Sequence, residues 1–243
     1  MKVNIVGTGC TWTARNNTSF IIDDVILFDV PSGNYRDIIK SIDIFKLNAI
    51  FISHWHSDHF GDLHIITTRF IRESRKNGRL HKLKVYGKRG LAEHLIEYNK
   101  LTFSGPDEVS LDILYEFVEF IDVEDGFEFE ESGYKVKTYK VDHGKVDCYG
   151  FTFTDNSGKT IAFTADTRYC ENLEKMLSTS NYAFIDVAAA VEFPSHLHVD
   201  KFIEVKEKFK KCKMYPIHMT DASKKLLVER NLSNLNDGDV LEI

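Results

Sequence analysis

Cysteine and proline are both scarce in this chain, with four of each among 243 residues. The cysteines are Cys10, Cys148, Cys170 and Cys212, which lie far apart and form no Cys-x-x-Cys pair. This spacing excludes a disulfide framework and a thiolate zinc site, so we expect reduced, structural thiols. No proline-rich or low-complexity linker divides the chain, and its length suits one large α/β domain over residues 1–243.

Long apolar runs are also missing from the sequence. No stretch approaches the ~18 to 20 apolar residues that a membrane span needs. The N-terminus passes directly into a strand pattern at residues 2–7, without the apolar core of a secretion signal. We therefore expect a cytoplasmic protein that makes no membrane contact.

Positive charge is not in excess over the whole chain, since the formal net charge is −6. This balance argues against a protein that coats nucleic acid without regard to sequence. The window 69–90 is the exception: nine Lys and Arg stand against Glu73 alone, a local charge of +8 that leaves −14 for the rest. Some of these residues recur at steps of three and four and would share one helix face. They are Arg69, Arg72, Lys76 and Arg79. The face is either an ordinary solvated surface or a means of concentrating an anionic ligand.

Strand patterns of β-branched and aromatic residues alternate with helical periodicity along the chain. The predicted strands are 2–7, 19–22, 25–30, 49–53, 83–86, 127–130, 134–141, 150–154, 160–164, 183–187, 214–217 and 240–243. The predicted helices are 35–42, 60–74, 91–99, 171–178 and 199–211. The acidic segment 101–133 contains no Lys or Arg and is expected at the periphery. This alternation indicates an α/β fold.

The most informative feature that is present is a run of four metal-ligating side chains after the apolar segment 48–53. The run has the pattern His-x-His-x-Asp-His and consists of His54, His56, Asp58 and His59. His54 and His56 point the same way because of the two-residue period, whereas Asp58 and His59 start the following helix. One run can therefore supply ligands to two neighbouring metal ions. The alternative, a chance set of loop histidines, is rare for this composition.

Three more candidate ligands follow predicted strands elsewhere in the chain: His143, Asp166 and His218. Open α/β sheets bind ligands at the carboxyl ends of their strands. Imidazole and carboxylate donors without thiolates favour Zn²⁺, with Mn or Fe as alternatives. Asp166 suits a carboxylate that bridges two ions, although an aspartate here could instead cap a helix.

Taken together, these motifs resemble those of the metallo-β-lactamase-fold hydrolases over the whole chain. The matching segments are 27–33 for the first acidic motif, 53–61 for the metal motif, His143, 165–167 for the bridging motif and 216–220 for the last motif. The resemblance implies a four-layer αβ/βα sandwich that holds two divalent metal ions. It also implies that Asp29 supports the metal loop without being a ligand.

The same resemblance assigns the ligands to two metal sites. Site one would be formed by His54, His56 and His143, and site two by Asp58, His59 and His218, with Asp166 shared between them.

Within the superfamily, local motifs are similar to those of ribonuclease Z and the phosphoribosyl cyclic phosphate phosphodiesterases. These motifs are the segments 7–9, 15–19 and 166–173. That branch carries a catalytic histidine at the start of a helix, and the helix predicted from 199 favours His198 over His196 for this role. Long-form ribonuclease Z also has a Gly/Pro-rich tRNA-clamping arm between the counterparts of His143 and Asp166. Only residues 144–165 lie there in this chain, and they read as two strands.

The function expected from these residues is a dinuclear metal-dependent hydrolase, a phosphodiesterase for a cyclic or nucleotide-type phosphodiester that reacts through a metal-bridging hydroxide. Asp58 and Asp166, together with the metal ions, would supply the nucleophile. His198 would act as general acid or oxyanion stabiliser. The substrate would be a small anion. Nucleic acid stays an open alternative, but without the arm specific tRNA binding is not expected. The competing hypotheses are a lactone or thioester hydrolase and a non-catalytic metal sensor. A homodimer is compatible with all three functions.

Overall fold

Two β-sheets face each other, and the first is mixed, with three antiparallel and three parallel strand pairs. The computed structural model describes residues 1–78, 81–102, 111–232 and 235–243. Within these ranges the first sheet consists of β1 (Lys2–Gly7), β2 (Ser19–Ile22), β3 (Ile26–Phe28), β4 (Ala49–Phe51), β5 (Leu83–Lys88), β6 (Val118–Val123) and β13 (Val240–Glu242). Their order across the sheet is β13-β1-β2-β3-β4-β5-β6, and the pairs from β3 to β6 are parallel.

The second sheet is formed by the later part of the chain. Its strands are β7 (Glu128–Glu131), β8 (Tyr134–His143), β9 (Val146–Thr154), β10 (Thr160–Phe163), β11 (Tyr182–Asp186) and β12 (Lys213–Ile217). The order is β12-β11-β10-β9-β8-β7, with parallel pairing only among β10, β11 and β12 in the described residues. Short antiparallel connections therefore build one half of this sheet, and helical crossovers build the other half.

Eight helices are described, together with a short 3-10 helix at Ile44–Lys46. They are α1 (Tyr35–Ser41), α2 (Ser57–Phe60), α3 (Leu63–Asn77), α4 (Leu91–Thr102), α5 (Leu111–Phe117), α6 (Glu171–Thr179), α7 (Val199–Lys208) and α8 (Asp221–Glu229). Of the described residues, none belongs to a helix with the length and apolarity required to traverse a bilayer.

Alternating side chains on the strands of the first sheet serve two separate cores. Ile21, Leu27 and Ile50 face the helices, where they join apolar residues of α1, α3 and α4. Their neighbours Phe20, Phe28 and Phe51 face the second sheet. Since both faces are covered, the strands read as continuous apolar runs in the sequence. The result is the four-layer αβ/βα sandwich that the resemblance implied, so this expectation is confirmed.

Phenylalanine rings fill the space between the two sheets. Phe163 of the second sheet is fully buried, and its ring centroid lies 5.0 Å from that of Phe28 and 5.0 Å from that of Phe184. Phe51 makes edge contacts with Phe151 and Phe153 at 5.2 and 5.0 Å. These aromatic contacts fix the separation of the sheets, and with it the distance between the loops that each sheet contributes to its edge.

Most differences from the predicted elements concern boundaries. The helix predicted at 60–74 is two helices, because the chain turns at Gly61 and Asp62 between α2 and α3. The helix predicted at 199–211 ends at Lys208, and α5, α8 and β6 were not predicted. The acidic segment 101–133 does supply β6 and β7, which are edge strands, as its peripheral assignment requires. Its residues 103–110, and Arg79 of the basic face, lie outside the described residues.

Replacing Phe163 by Ala should lower the free energy of unfolding by about 3 to 5 kcal/mol, because the large buried ring leaves a cavity between the sheets. Chemical denaturation followed by circular dichroism measures this loss. The control is Phe193→Ala, at a phenylalanine that is half exposed, where we expect a change within about 0.5 kcal/mol. Equal effects of the two substitutions would contradict the assigned packing.

Candidate metal centre

Four strand ends bring the predicted ligands to one edge of the sandwich. The loop after β4 carries His54, and the carboxyl end of β8 carries His143. Asp166 follows β10, and His218 follows β12. The first of these strands belongs to one sheet and the other three to the second sheet, so the packing of the sheets assembles the cluster.

Asp166 lies at the centre of the cluster and is almost fully buried. Its Oδ1 is 3.3 Å from His59 Nε2, and its Oδ2 is 3.2 Å from His218 Nε2. The same Oδ2 lies 3.8 Å from both His54 Nε2 and His143 Nε2. One carboxylate therefore reaches imidazoles on both sides, as expected for a group shared by two ions.

The structure brings together all seven residues that the sequence proposed as ligands. Three groups of residues have potential donor atoms that lie within 4.8 Å of one another inside each group: His54, His56, His143 and Asp166; Asp58, His59 and His218; and Asp166, His196 and His218. The first two groups correspond to the two sites implied by the resemblance, and the third adds His196 beside Asp166 and His218.

Buried donor atoms without hydrogen-bond partners show that the cluster fits metal ions. Among the described residues, His54 Nε2, His59 Nε2 and Asp166 Oδ1 are buried and make no hydrogen bond of normal geometry. Such orphaned polar atoms are costly in a protein interior unless something binds them. Imidazole nitrogen and carboxylate oxygen, with no thiolate in either group, are donors suited to Zn²⁺, Mn or Fe.

The buried aspartate and histidines of the cluster shift each other's pKa values. Burial alone would raise the pKa of Asp166, but the adjacent His218 and His59 hold that pKa well below its usual range. Burial would likewise lower the pKa of His59, yet the carboxylates of Asp166 and Asp29 raise it well above normal. The pKa of His54 is well below normal because of burial and the nearby His59. The buried carboxylates thus favour positive charge in the cluster.

Asp29 supports the metal loop through three hydrogen bonds and is itself fully buried. Its Oδ1 accepts from Ser53 N at 2.8 Å, and its Oδ2 accepts from Ser53 Oγ at 2.8 Å. His59 Nδ1 lies 2.7 Å from the same Oδ2. Because Nδ1 is occupied in this way, His59 presents Nε2 to Asp166. This placement matches the supporting role expected of Asp29.

Asp29, Ala165 and His218 have left-handed backbone conformations, each with φ of 54°. This region is uncommon for residues other than glycine. Each of the three stands at or just after the end of a strand that leads into the cluster. The sharp turns redirect the following side chains toward the cluster, which is typical of functional sites.

His196 faces the cluster, whereas His198 does not. His196 Nδ1 lies 2.8 Å from Asp186 Oδ2, and its ring is stacked on that of His218 with centroids 5.5 Å apart. Burial would lower the pKa of His196, but Asp186 raises it to about 9. His198 instead precedes α7 as its N-cap residue, and its backbone pairs with Ala189. Of these two histidines, His196 is therefore the one that lines the cluster.

The predicted helix start identifies an element but not which side chain points toward the cluster. Only Leu197 separates the two histidines, and it is His196 that pairs with the buried Asp186. Asp186, at the end of the predicted strand 183–187, was the signal in the sequence that could have indicated His196.

A cavity of about 400 Å³ opens onto the cluster. It is lined by Cys10, Thr11, Trp12, His56, Asp58, Asp166, Ala188, Ala189, Phe193, His196, His218 and Thr220. No Lys or Arg is among these described lining residues. A larger cavity of about 830 Å³ between α7, β12 and α8 has none of the clustered donors, so volume alone does not identify the site.

The basic helix face does not reach this cavity. Arg69 donates to the hydroxyl of Tyr35 at 3.0 Å, and Arg72 and Lys76 are exposed farther along α3. None of the three lines the cavity. The placement favours the interpretation of this face as a solvated surface.

Comparison with known proteins gives consistent matches. A model of the family described as "Beta-lactamase superfamily domain" matches residues 34–219. The ribonuclease Z of Staphylococcus carnosus (strain TM300) is 30% identical over 161 residues, which cover 62% of this chain and 48% of the relative. The chain thus spans about half the length of the curated relatives it matches.

Solved structures share the fold over the whole chain. The metallo-beta-lactamase fold protein YhfI from Bacillus subtilis superimposes with a TM-score of 0.77 at 16% identity, covering 100% of this chain and 99% of YhfI. A diphosphatase from the PhnP family gives a TM-score of 0.75 at 20% identity, covering 100% and 97% of the two chains. At these identities the similarity concerns the fold.

Replacing Asp29 by Asn should lower metal affinity about 10- to 100-fold, because the amide cannot hold both Ser53 and His59 as the carboxylate does. Titration with Zn²⁺ followed by calorimetry measures the change. Asp62→Asn is the matched control: Asp62 is also buried and accepts from the backbone of Gly33 and Tyr35, but it contacts no candidate ligand. Unchanged affinity in Asp29→Asn would refute the supporting role.

Proposed function

The chain belongs to the beta-lactamase superfamily, and from this membership we propose that it is a metal-dependent hydrolase that cleaves a small phosphodiester. The observation that carries the proposal is the combination of seven clustered donors with a histidine–aspartate pair, His196 and Asp186, beside them. The similarity to ribonuclease Z and to a PhnP-family diphosphatase supports phosphate chemistry.

Two divalent ions would be held at this cluster, with Zn²⁺ favoured over Mn or Fe. His54, His56 and His143 would hold one ion, Asp58, His59 and His218 would hold the other, and Asp166 would contact both. Bound ions would provide charge stabilisation for the phosphoryl group and a nucleophile at neutral pH. Asp58 and Asp166 face the cavity and would orient the attacking water through their carboxylates.

His196 would protonate the leaving group. Its Nδ1 is held by Asp186, which leaves Nε2 as the nitrogen that can donate toward the cavity. Cleavage of a phosphodiester expels an alkoxide, which needs a proton or a positive charge as it forms. We therefore transfer to His196 the role of general acid or oxyanion stabiliser that the sequence suggested for His198.

The lack of a tRNA-clamping arm between His143 and Asp166 argues against a tRNA substrate. Residues 144–165 contain only β9, β10 and the turns that flank them, and β9 pairs with both β8 and β10. No segment in this range projects as a tRNA-clamping arm. A small cyclic or nucleotide-type phosphodiester is thus the better candidate than a tRNA precursor.

The metal-loaded protein should release p-nitrophenol from bis-p-nitrophenyl phosphate, lose this activity on treatment with EDTA and regain it with Zn²⁺ or Mn²⁺. Metal analysis of the active protein should give about two ions per chain. The same assay with p-nitrophenyl acetate tests the lactone or thioester hydrolase alternative. Rapid ester turnover without phosphodiester cleavage would refute the proposed function, and turnover of neither compound would favour a metal sensor.

Replacing His196 by Ala should lower kcat about 10²- to 10⁴-fold for a phosphodiester that expels an alkoxide, such as adenosine 2′,3′-cyclic phosphate, the usual contribution of a general acid. Bis-p-nitrophenyl phosphate should be affected much less, because p-nitrophenolate leaves without protonation. Metal content should stay near that of the unchanged protein, because the two donor groups remain. The matched control is His198→Ala two residues away, for which we expect kcat within about twofold. A larger loss in His198→Ala than in His196→Ala would reverse the assignment.

A further inference from the structure

Two large aromatic side chains stand exposed in the wall of the cavity that leads to the metal cluster. Trp12 is 85% exposed and Phe193 is 53% exposed, although both line this cavity. Val191, close to Phe193 in the chain, is also exposed. Burial of an aromatic ring is strongly favourable, so rings left open at a ligand site indicate a ligand that covers them.

Trp12 is held at the rim by a well-anchored loop. Asp237 accepts hydrogen bonds from Thr8 N at 2.9 Å and from Asn16 N at 2.8 Å, at the two ends of the loop. Arg15 donates to the carbonyl of Met219, the residue after a candidate ligand. A Cβ at Gly7 would lie 2.0 Å from the carbonyl oxygen of Asn17, so the two loop ends are in close contact. The loop that carries the exposed indole is therefore fixed at both of its ends.

Phe193 stands on a second anchored loop. Its backbone pairs with His196, and its ring centroid is 5.8 Å from that of His196. Ala189 N donates to Leu197 O at 3.3 Å, and Val199 N donates to Ala189 O at 3.1 Å, which closes the loop. The phenyl ring is thus placed beside the histidine to which we assign leaving-group protonation.

The charge of the cavity limits the ligand further. The described lining residues include no Lys or Arg, so a second phosphate beyond the metal cluster would find no cation there. The two wall hydroxyls are already engaged: Thr11 bonds to Asp58, and Thr220 Oγ1 donates to Ala188 O at 2.8 Å. Among the described lining residues, the wall outside the candidate ligands and His196 is therefore mainly aromatic and apolar. It is not suited to hydrogen bonding with the edges of a base.

We propose that the substrate is a phosphodiester with a single phosphate and a flat aromatic ester group, a nucleobase on its sugar, which stacks against Trp12 and Phe193. This proposal rests on the proposed function and names the substrate class of the same site. Stacking accepts any base because every base has a π-face, so the site should tolerate several bases. A chain with many phosphates would find no Lys or Arg among the described residues that line this cavity.

The kinetic test compares two substrates that share the reacting phosphate: adenosine 2′,3′-cyclic phosphate and methyl riboside 2′,3′-cyclic phosphate, which has no base. We expect kcat/KM of the zinc-loaded protein to be about 10-fold or more higher with the base. Trp12→Ala and Phe193→Ala should each lower this ratio at least about 5-fold. Tyr115→Ala, at an exposed aromatic on α5 that does not line the cavity, is the control and should leave the ratio unchanged.

A binding test separates failure of this proposal from failure of the proposed function. The chain has two tryptophans, Trp12 and Trp55, so the fluorescence difference between the unchanged protein and Trp12→Phe reports on Trp12. Adenosine monophosphate should quench this difference signal, and ribose 5-phosphate should not. Quenching without turnover of any phosphodiester would support the stacking site and refute the hydrolase.

Two outcomes would overturn the stacking site itself. The first is phosphodiester turnover with equal ratios in all variants and no base-dependent quenching. The second is a Trp12→Ala protein that changes from dimer to monomer in light scattering with an unchanged ratio, because the aromatic rim would then be a contact between two copies of the chain.

Discussion

The buried carboxylate of Asp166 is the group on which the arrangement of the site depends. A charge in the interior is tolerated only when it is paired, and here the partners come from loops of both sheets. His59 reaches it from the loop after β4, and His218 reaches it from the end of β12. Loss of any one partner would leave the remaining charges under-compensated, so the cluster acts as a unit. The buried carboxylates of Asp166 and Asp29 also suit the cluster to cations, because they favour positive charge beside them.

The two sheets are joined at this edge by hydrogen bonds as well as by charge. Tyr149 N donates to Ser53 O at 3.0 Å, and His218 N donates to Thr18 Oγ1 at 3.0 Å. These bonds, and the phenylalanine contacts between the sheets, hold the strand ends rigidly enough to sustain the left-handed turns at Asp29 and His218. The polar centre is thereby fixed, and the exposed rings of Trp12 and Phe193 line the cavity beside it.

Sequence reasoning and the structure agree most closely where the chemistry is carried by local patterns. The run from His54 to His59 is adjacent in the chain, so its ligand character could be predicted from residue types and spacing alone. His143, Asp166 and His218 were predictable because each follows an apolar strand, and strand ends in α/β folds collect ligands. The basic face on α3 could not be interpreted from the sequence in this way. Periodicity places its residues on one face of the helix but does not show whether that face contacts a ligand, another part of the chain or solvent.

The α/β class, the position of most strands in the chain and the seven candidate donors could be inferred from the sequence, because these follow from hydrophobic period and side-chain chemistry. That His196 faces the candidate metal cluster while bonded to Asp186, and that Trp12 and Phe193 border the same cavity, is seen only in the folded chain. These relations join residues of different loops and strands. They depend on how two sheets pack and where loops are anchored, and neither of these is encoded in the period or the composition of any single segment.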